Sequence, residues 1–81
     1  MKLEIITPDK KVFEGDIKSV RVPGKNGSFQ VLKDHAPIIS TLDNGSVILL
    51  DYDGLETIFE IRGGVIEVKA NKIILLADSV K

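Results

Sequence analysis

The chain has 81 residues, no cysteine and a single histidine, a length that sets one small domain held by packing, without disulfides or a thiolate metal site. An apolar share of 43% excludes a disordered chain. Eleven Lys and Arg against twelve Asp and Glu leave a formal net charge of −1 without a basic block, which excludes the cationic face that nucleic-acid binders present.

The amino-terminal "MKLEIITPDKK" turns charged at Glu4. It lacks the apolar core of about 7 to 15 residues and the small-residue cleavage site of a secretory signal. Leu3 and Ile5 alternate with polar neighbours, as do Val20 and Val22, then Phe29 and Val31, and period two is strand periodicity. The runs at 46–50, 57–61, 64–68 and 72–77 are rich in branched residues that suit a pleated surface. Six or seven strands at least are expected, and no window holds a capped amphipathic helix. The longest apolar run, "IILLA" at 73–77, is far below the roughly 20 residues of a membrane-spanning helix, so no direct membrane insertion is expected.

Turn chemistry separates the runs: Pro8-Asp9, Glu14-Gly15, Pro23-Gly24 with Asn26-Gly27, Asp43-Asn44-Gly45, Asp53-Gly54, Gly63-Gly64 and Ala70-Asn71-Lys72, the punctuation of an all-β domain. Asp53-Gly54 suits a type I′ turn, predicting that 46–52 and 55–62 pair as an antiparallel hairpin. The runs 47–50 and 73–76 are apolar at both parities. A sheet with one solvated face does not require this, so their second face is expected to lie under a loop or against a partner.

Candidate chemistry is sparse. Ser40, His35 and Asp34 or Asp43 supply the residue types of a hydrolytic triad, yet they crowd one short stretch without the strand-turn-helix that exposes a nucleophile. "GKNGS" at 24–28 has the ingredients of a phosphate loop in the wrong order and leads into a strand instead of a helix; it reads as a turn. The acidic residues at 51, 53 and 56 lack the spacing of a calcium loop. In "DHAPII" at 34–39, Pro37 holds Ala36 extended, and Ile38 and Ile39 then point to opposite sides. Either both are buried within the monomer, or one is covered by a partner.

Taken in order, "LEIITPDKKVFEGDIKSVRVPGKNGSFQVLKDHAPIISTL" and "IRGGVIEVKANKIILLAD" resemble the amino-terminal β-sandwich domain of the epsilon subunit of the bacterial F-type ATP synthase, called delta in mitochondria. The resemblance covers essentially all of residues 1–81. It is carried by Val22-Pro23-Gly24, the His35-Ala36-Pro37 corner, Gly63-Gly64 with Glu67-Val68, and the closing "LAD" at 76–78.

The resemblance implies an all-β fold, a single flattened β-sandwich of about ten short antiparallel strands. It implies a non-catalytic rotor subunit of the central stalk, coupling the gamma subunit to the membrane c ring within the alpha, beta, gamma, delta and epsilon complex while protons or sodium ions flow. No cofactor, nucleic acid or small-molecule substrate is implied, and the place is peripheral, on the cytoplasmic face of the cell's inner membrane. By the same resemblance, the turn Lys25, Asn26, Gly27 and Ser28 faces the c ring. His35, Ala36, Pro37, Ile38, Ile39 and Leu42 form the gamma and stalk interface, with the isoleucines and Leu42 as apolar anchors.

Departures from the family pattern are Asn26 or Ser28 where an acid is usual, Gln30 for a glycine, and Lys33-Asp34 for Pro-Gly. The family's carboxy-terminal helical pair is not expected within residues 1–81. The alternative is a stand-alone β-sandwich module binding carbohydrate or peptide, which would need an exposed aromatic platform from Phe13, Phe29, Tyr52 and Phe59. A small hydrolase is a third reading, and it would need polar groups converging on a pocket.

Overall fold

The computed structural model describes all residues, 1–81, as eight strands and no helix. In chain order these are β1 Lys2–Ile6, β2 Lys11–Asp16, β3 Ser19–Val22, β4 Phe29–Leu32, β5 Ile38–Leu42, β6 Gly45–Leu50, β7 Glu56–Lys69 and β8 Lys72–Val80. The hydrogen-bonded order is β2-β1-β8-β7-β6-β3-β4, with β5 added on β7.

β7 makes this one sheet into two layers. Its first half, to Ile61, pairs with β6, whereas its second half, from Gly64, pairs with β5 along the same edge. Between them Gly63 and Gly64 take φ of 57° and 148°, values that an L side chain resists, and the strand bends without losing β8 on its other side. One layer is therefore β2-β1-β8 with the second half of β7 and β5. The other is the first half of β7 with β6, β3 and β4.

The inward residues of both layers form a single cluster. Leu3, Ile5, Ile66, Val68, Ile73 and Leu75 come from the first layer, and Val20, Val22, Val31, Val47, Leu49 and Ile61 from the second. Period-two alternation places each of them, because successive side chains on a strand leave opposite faces. Burying a side chain of this size contributes about 1.5–3 kcal/mol, and this cluster stands in for the missing disulfides.

Three expectations need correction. The strands number eight, not the ten or so that the resemblance implies; the runs 57–61 and 64–68 are both β7, and Glu14-Gly15 lies inside β2. The pairing is not wholly antiparallel, since β1 and β8 run parallel, Lys2 opposite Lys72 through Ile6 opposite Leu76; periodicity carries no strand direction.

The hairpin between β6 and β7 is antiparallel as expected, but its turn is not type I′. Of Asp53 and Gly54 only Gly54 has positive φ, 83°. The Asp51 carboxylate accepts from the amides of Asp53 and Leu55, both at 2.9 Å, and the Gly54 amide donates to the Asp51 carbonyl at 3.2 Å. That is a turn capped by an aspartate and closed by a left-handed glycine, the three-residue alternative. Two consecutive left-handed residues occur instead at Ala70 and Asn71, φ 50° and 60°, between the paired Lys69 and Lys72.

Candidate functional site

Leu32 to His35 form a tight turn closed by the His35 amide donating to the Leu32 carbonyl at 3.1 Å. Asp34 takes φ 64° there, the conformation that a type II turn demands at its third residue and that aspartate tolerates. The turn is pinned from outside: the Asp34 amide donates to Asn71 Oδ1 at 2.8 Å and Asn71 Nδ2 to Asp34 Oδ1 at 3.1 Å. Half-buried His35 folds back on its own corner, Nδ1 donating to the Ala36 carbonyl at 2.7 Å. Ala36 and Pro37 are exposed, and β5 starts immediately after them.

The triad types are not brought together. The Asp34 carboxylate is engaged with Asn71, the His35 ring with Ala36, and the Ser40 hydroxyl donates to the Thr41 carbonyl at 3.3 Å. No three His, Cys, Asp or Glu side chains gather as a metal site.

β5 separates its two isoleucines as alternation predicts. Ile38 turns inward and packs against the core while Ile39 is 72% exposed. Leu42 is 1% exposed; its side chain lies in the core, so it holds β5 in place and presents no surface. Of the expected apolar anchors, Ile39 alone stands open to a partner.

Strand pairing extends Ile39 into a face. Ile39 lies opposite Glu67 and Glu67 opposite Ile74. In the adjacent row Thr41 lies opposite Val65, Val65 opposite Leu76, and Leu76 opposite Ile6. Val65 and Leu76 are 38% and 50% exposed. On the outer face of this layer an apolar row thus runs from Val65 on β7 through Leu76 on β8 to Ile6 on β1, with Ile39 of β5 diagonally beside Val65 and Glu67 opposite Ile39.

A charged margin bounds the row: Lys11 Nζ sits 3.4 Å from Glu4 and 3.0 Å from Glu14, and Lys2 Nζ 3.1 Å from Glu14. Hydrogen bonding to Lys11, then to Lys2, holds the Glu14 carboxyl below its ordinary range. The bond to Glu14 raises Lys11. The double apolar parity of 73–76 signalled this face through Ile74 and Leu76; Val65 was not singled out, because nothing in the sequence says which side of β7 stays uncovered.

The glycine-bearing turn occupies the other end of the body. Gly24 bridges Leu42, and the Lys25 amide donates to the Thr41 carbonyl at 3.1 Å, so Lys25 to Ser28 project beside the end of β5 opposite to the His35 corner. β4 and β5 each span the gap, about 13–17 Å at the rise of a strand. All four turn residues are exposed.

Residues 1–81 match the family described as ATP synthase, Delta/Epsilon chain, beta-sandwich domain. The chain belongs to this family. The ATP synthase epsilon chain of Chlorobaculum tepidum is 51% identical over 96% of this chain and 89% of its own length. That of Chlorobium limicola is 47% identical over 98% and 90%. Among solved structures, a chain of the Euglena gracilis mitochondrial ATP synthase superposes with a TM-score of 0.92, at 16% identity, over 98% of this chain and 51% of its own, which shows the shared β-sandwich. The surface of this chain presents exposed apolar residues on the outer face of one layer and a polar turn at one end.

Proposed function

We infer that the chain is a non-catalytic rotor subunit of an F-type ATP synthase, gripped by the gamma subunit on its apolar face and seated on the c ring by the Lys25–Ser28 turn, at the cytoplasmic face of the inner membrane. Family membership supports the rotor role. The single observation that carries the docking assignment is the exposed apolar pair Val65 and Leu76, opposite each other on β7 and β8, with exposed Ile39 diagonally beside Val65. Isolated apolar residues are ordinary on a surface; a contiguous set marks an interface.

In this reading His35, Ala36 and Pro37 form the polar and rigid border of the gamma contact. Ile39 is its anchor, and Ile38 and Leu42 are its inner supports. Torque transfer asks for a body that does not shear, and 37 backbone hydrogen bonds within the strands must yield together with close-packed side chains before it does.

The carbohydrate or peptide module has less support. Phe13, Phe29 and Phe59 pack against the core, Phe13 and Phe59 edge to face at 6.0 Å, leaving Tyr52 without an aromatic neighbour to form a platform. The experiment is site-directed photocrosslinking in the assembled complex from positions 39 and 26. Position 39 is expected to capture gamma and position 26 the c ring; capture of neither overturns the placement.

A further inference from the structure

We propose that Asn26 is a self-modifying position, converting spontaneously to aspartate and isoaspartate while the other two asparagines of the folded chain, Asn44 and Asn71, stay intact. In the reaction the Gly27 backbone nitrogen bonds to Asn26 Cγ, the Cγ–Nδ2 bond breaks, and ammonia leaves with the proton of the Gly27 amide. Water then opens the five-membered imide at either carbonyl. A following glycine favours the closure because no side chain crowds the attacking nitrogen.

The chain has two Asn-Gly pairs, and the fold treats them differently. Asn26 and Gly27 are both exposed, with nothing within 4 Å of the position a Gly27 Cβ would occupy. The Gly27 amide is held by one turn bond, to the Gly24 carbonyl at 3.0 Å, and an exposed turn of this kind opens at almost no cost.

Gly45 instead begins β6, paired with Ile61, and the Pro23 ring lies 2.9 Å from where its Cβ would stand. The Asn44 amide donates to Asp43 Oδ1 at 2.8 Å. Bringing Asn44 Cγ onto the Gly45 nitrogen therefore requires opening the start of β6. Asn71 has both side-chain atoms bound to Asp34 and is followed by Lys72, whose side chain crowds the attack. Asp53-Gly54 is as exposed as Asn26-Gly27, but closure and reopening there return an aspartate or isoaspartate of the same mass and charge.

The product adds a carboxylate to a chain of formal net charge −1, in the turn assigned above to the c ring. This consequence rests on that assignment. The modification itself does not.

The test is to age the purified chain at mildly alkaline pH, folded and in urea, and to map it by brief tryptic digestion. Cleavage after Lys25, Lys33 and Arg62 separates Asn26 on peptide 26–33 from Asn44 on 34–62. Folded, the first peptide is expected to gain the mass of amide-to-acid exchange at least ~10-fold faster than the second, a difference of about 1.4 kcal/mol in barrier; in urea the two should react alike. Equal rates in the folded chain, or an inert Asn26 beside reactive pairs in urea, overturn the proposal. Binding of N26D to a detergent-solubilised c ring is then compared with the unreacted chain. A reactive Asn26 with unchanged ring binding counts against the ring assignment alone.

Discussion

Asp34 and Asn71, 37 residues apart in the chain, hold each other by two reciprocal hydrogen bonds of 2.8 and 3.1 Å, each from a left-handed backbone position. The turn that joins β4 to β5 is thereby latched to the turn that joins β7 to β8. His35 to Pro37 lie between that latch and the exposed Ile39, so the entry of β5 to the docking face is set by a contact distant in sequence.

Removing the latch has a separable cost. Replacing Asn71 with glycine deletes both bonds while keeping the left-handed turn comfortable, and should cost about 1 kcal/mol, lowering Tm by about 4–8 °C for a domain of this size. Replacing it with alanine adds the left-handed penalty of about 1 kcal/mol. Thermal melting of the two variants should rank glycine above alanine; the reverse order would remove the backbone argument.

Ala70 is strained in the native chain, at φ 50°. Ala70→Gly should therefore stabilise the protein by about 0.5–1 kcal/mol, relief of the left-handed strain exceeding the entropy that glycine adds to the unfolded chain. Urea denaturation checks it: the midpoint should rise with an unchanged slope.

Ile39 and Leu42 should behave oppositely. Ile39→Ser, at a side chain 72% exposed, should leave stability within about 0.5 kcal/mol and reduce gamma binding. Leu42→Ala should cost about 2–5 kcal/mol through the cavity it leaves. Titrating gamma against each variant, alongside its melting curve, distinguishes surface from support.

The bend of β7 should resist any side chain. A Cβ at Gly64 would stand 2.2 Å from the Leu76 carbonyl oxygen and 3.1 Å from Ala77 Cα, with φ at 148°. Gly64→Ala should cost about 3 kcal/mol, combining overpacking with backbone strain, as a fall in the urea midpoint.

The Lys11 and Glu14 pair gives a direction with pH. Glu14, hydrogen-bonded by Lys11 and then Lys2, titrates below its ordinary 4.5, so its contribution is present above the unfolded value and lost as pH falls through the folded one. Lys11, raised by its bond to Glu14, contributes below its unfolded value and loses that as pH rises through the folded one. Both groups are exposed, so added salt should shrink either effect. NMR titration should find Glu14 depressed in the native chain and returned towards its ordinary value in Lys11→Met.

Much of the fold was legible because its signals are local. Alternation at Leu3 and Ile5, at Val20 and Val22 and at Phe29 and Val31 marked strands, each run lies in one, and all of these residues but the half-buried Phe29 are fully enclosed. The double apolar parity of 73–76 announced an outer face that is open at Leu76. At 38–42 alternation separated Ile38 from Ile39 and put Leu42 on the face of Ile38, which leaves Ile39 alone on the outer side.

Residue order by itself determined the strand-forming runs, the turn positions and the family, since each depends on side-chain type and spacing within a few neighbours. Tertiary structure alone decided that β7 continues through Gly63 and Gly64 as one bent strand, that β1 lies parallel to β8, and that Asn71 reaches Asp34. Those facts concern which edges and turns meet across the sheet. Hydrogen bonding between distant segments is set by the packing of the whole core, which no short stretch of sequence contains.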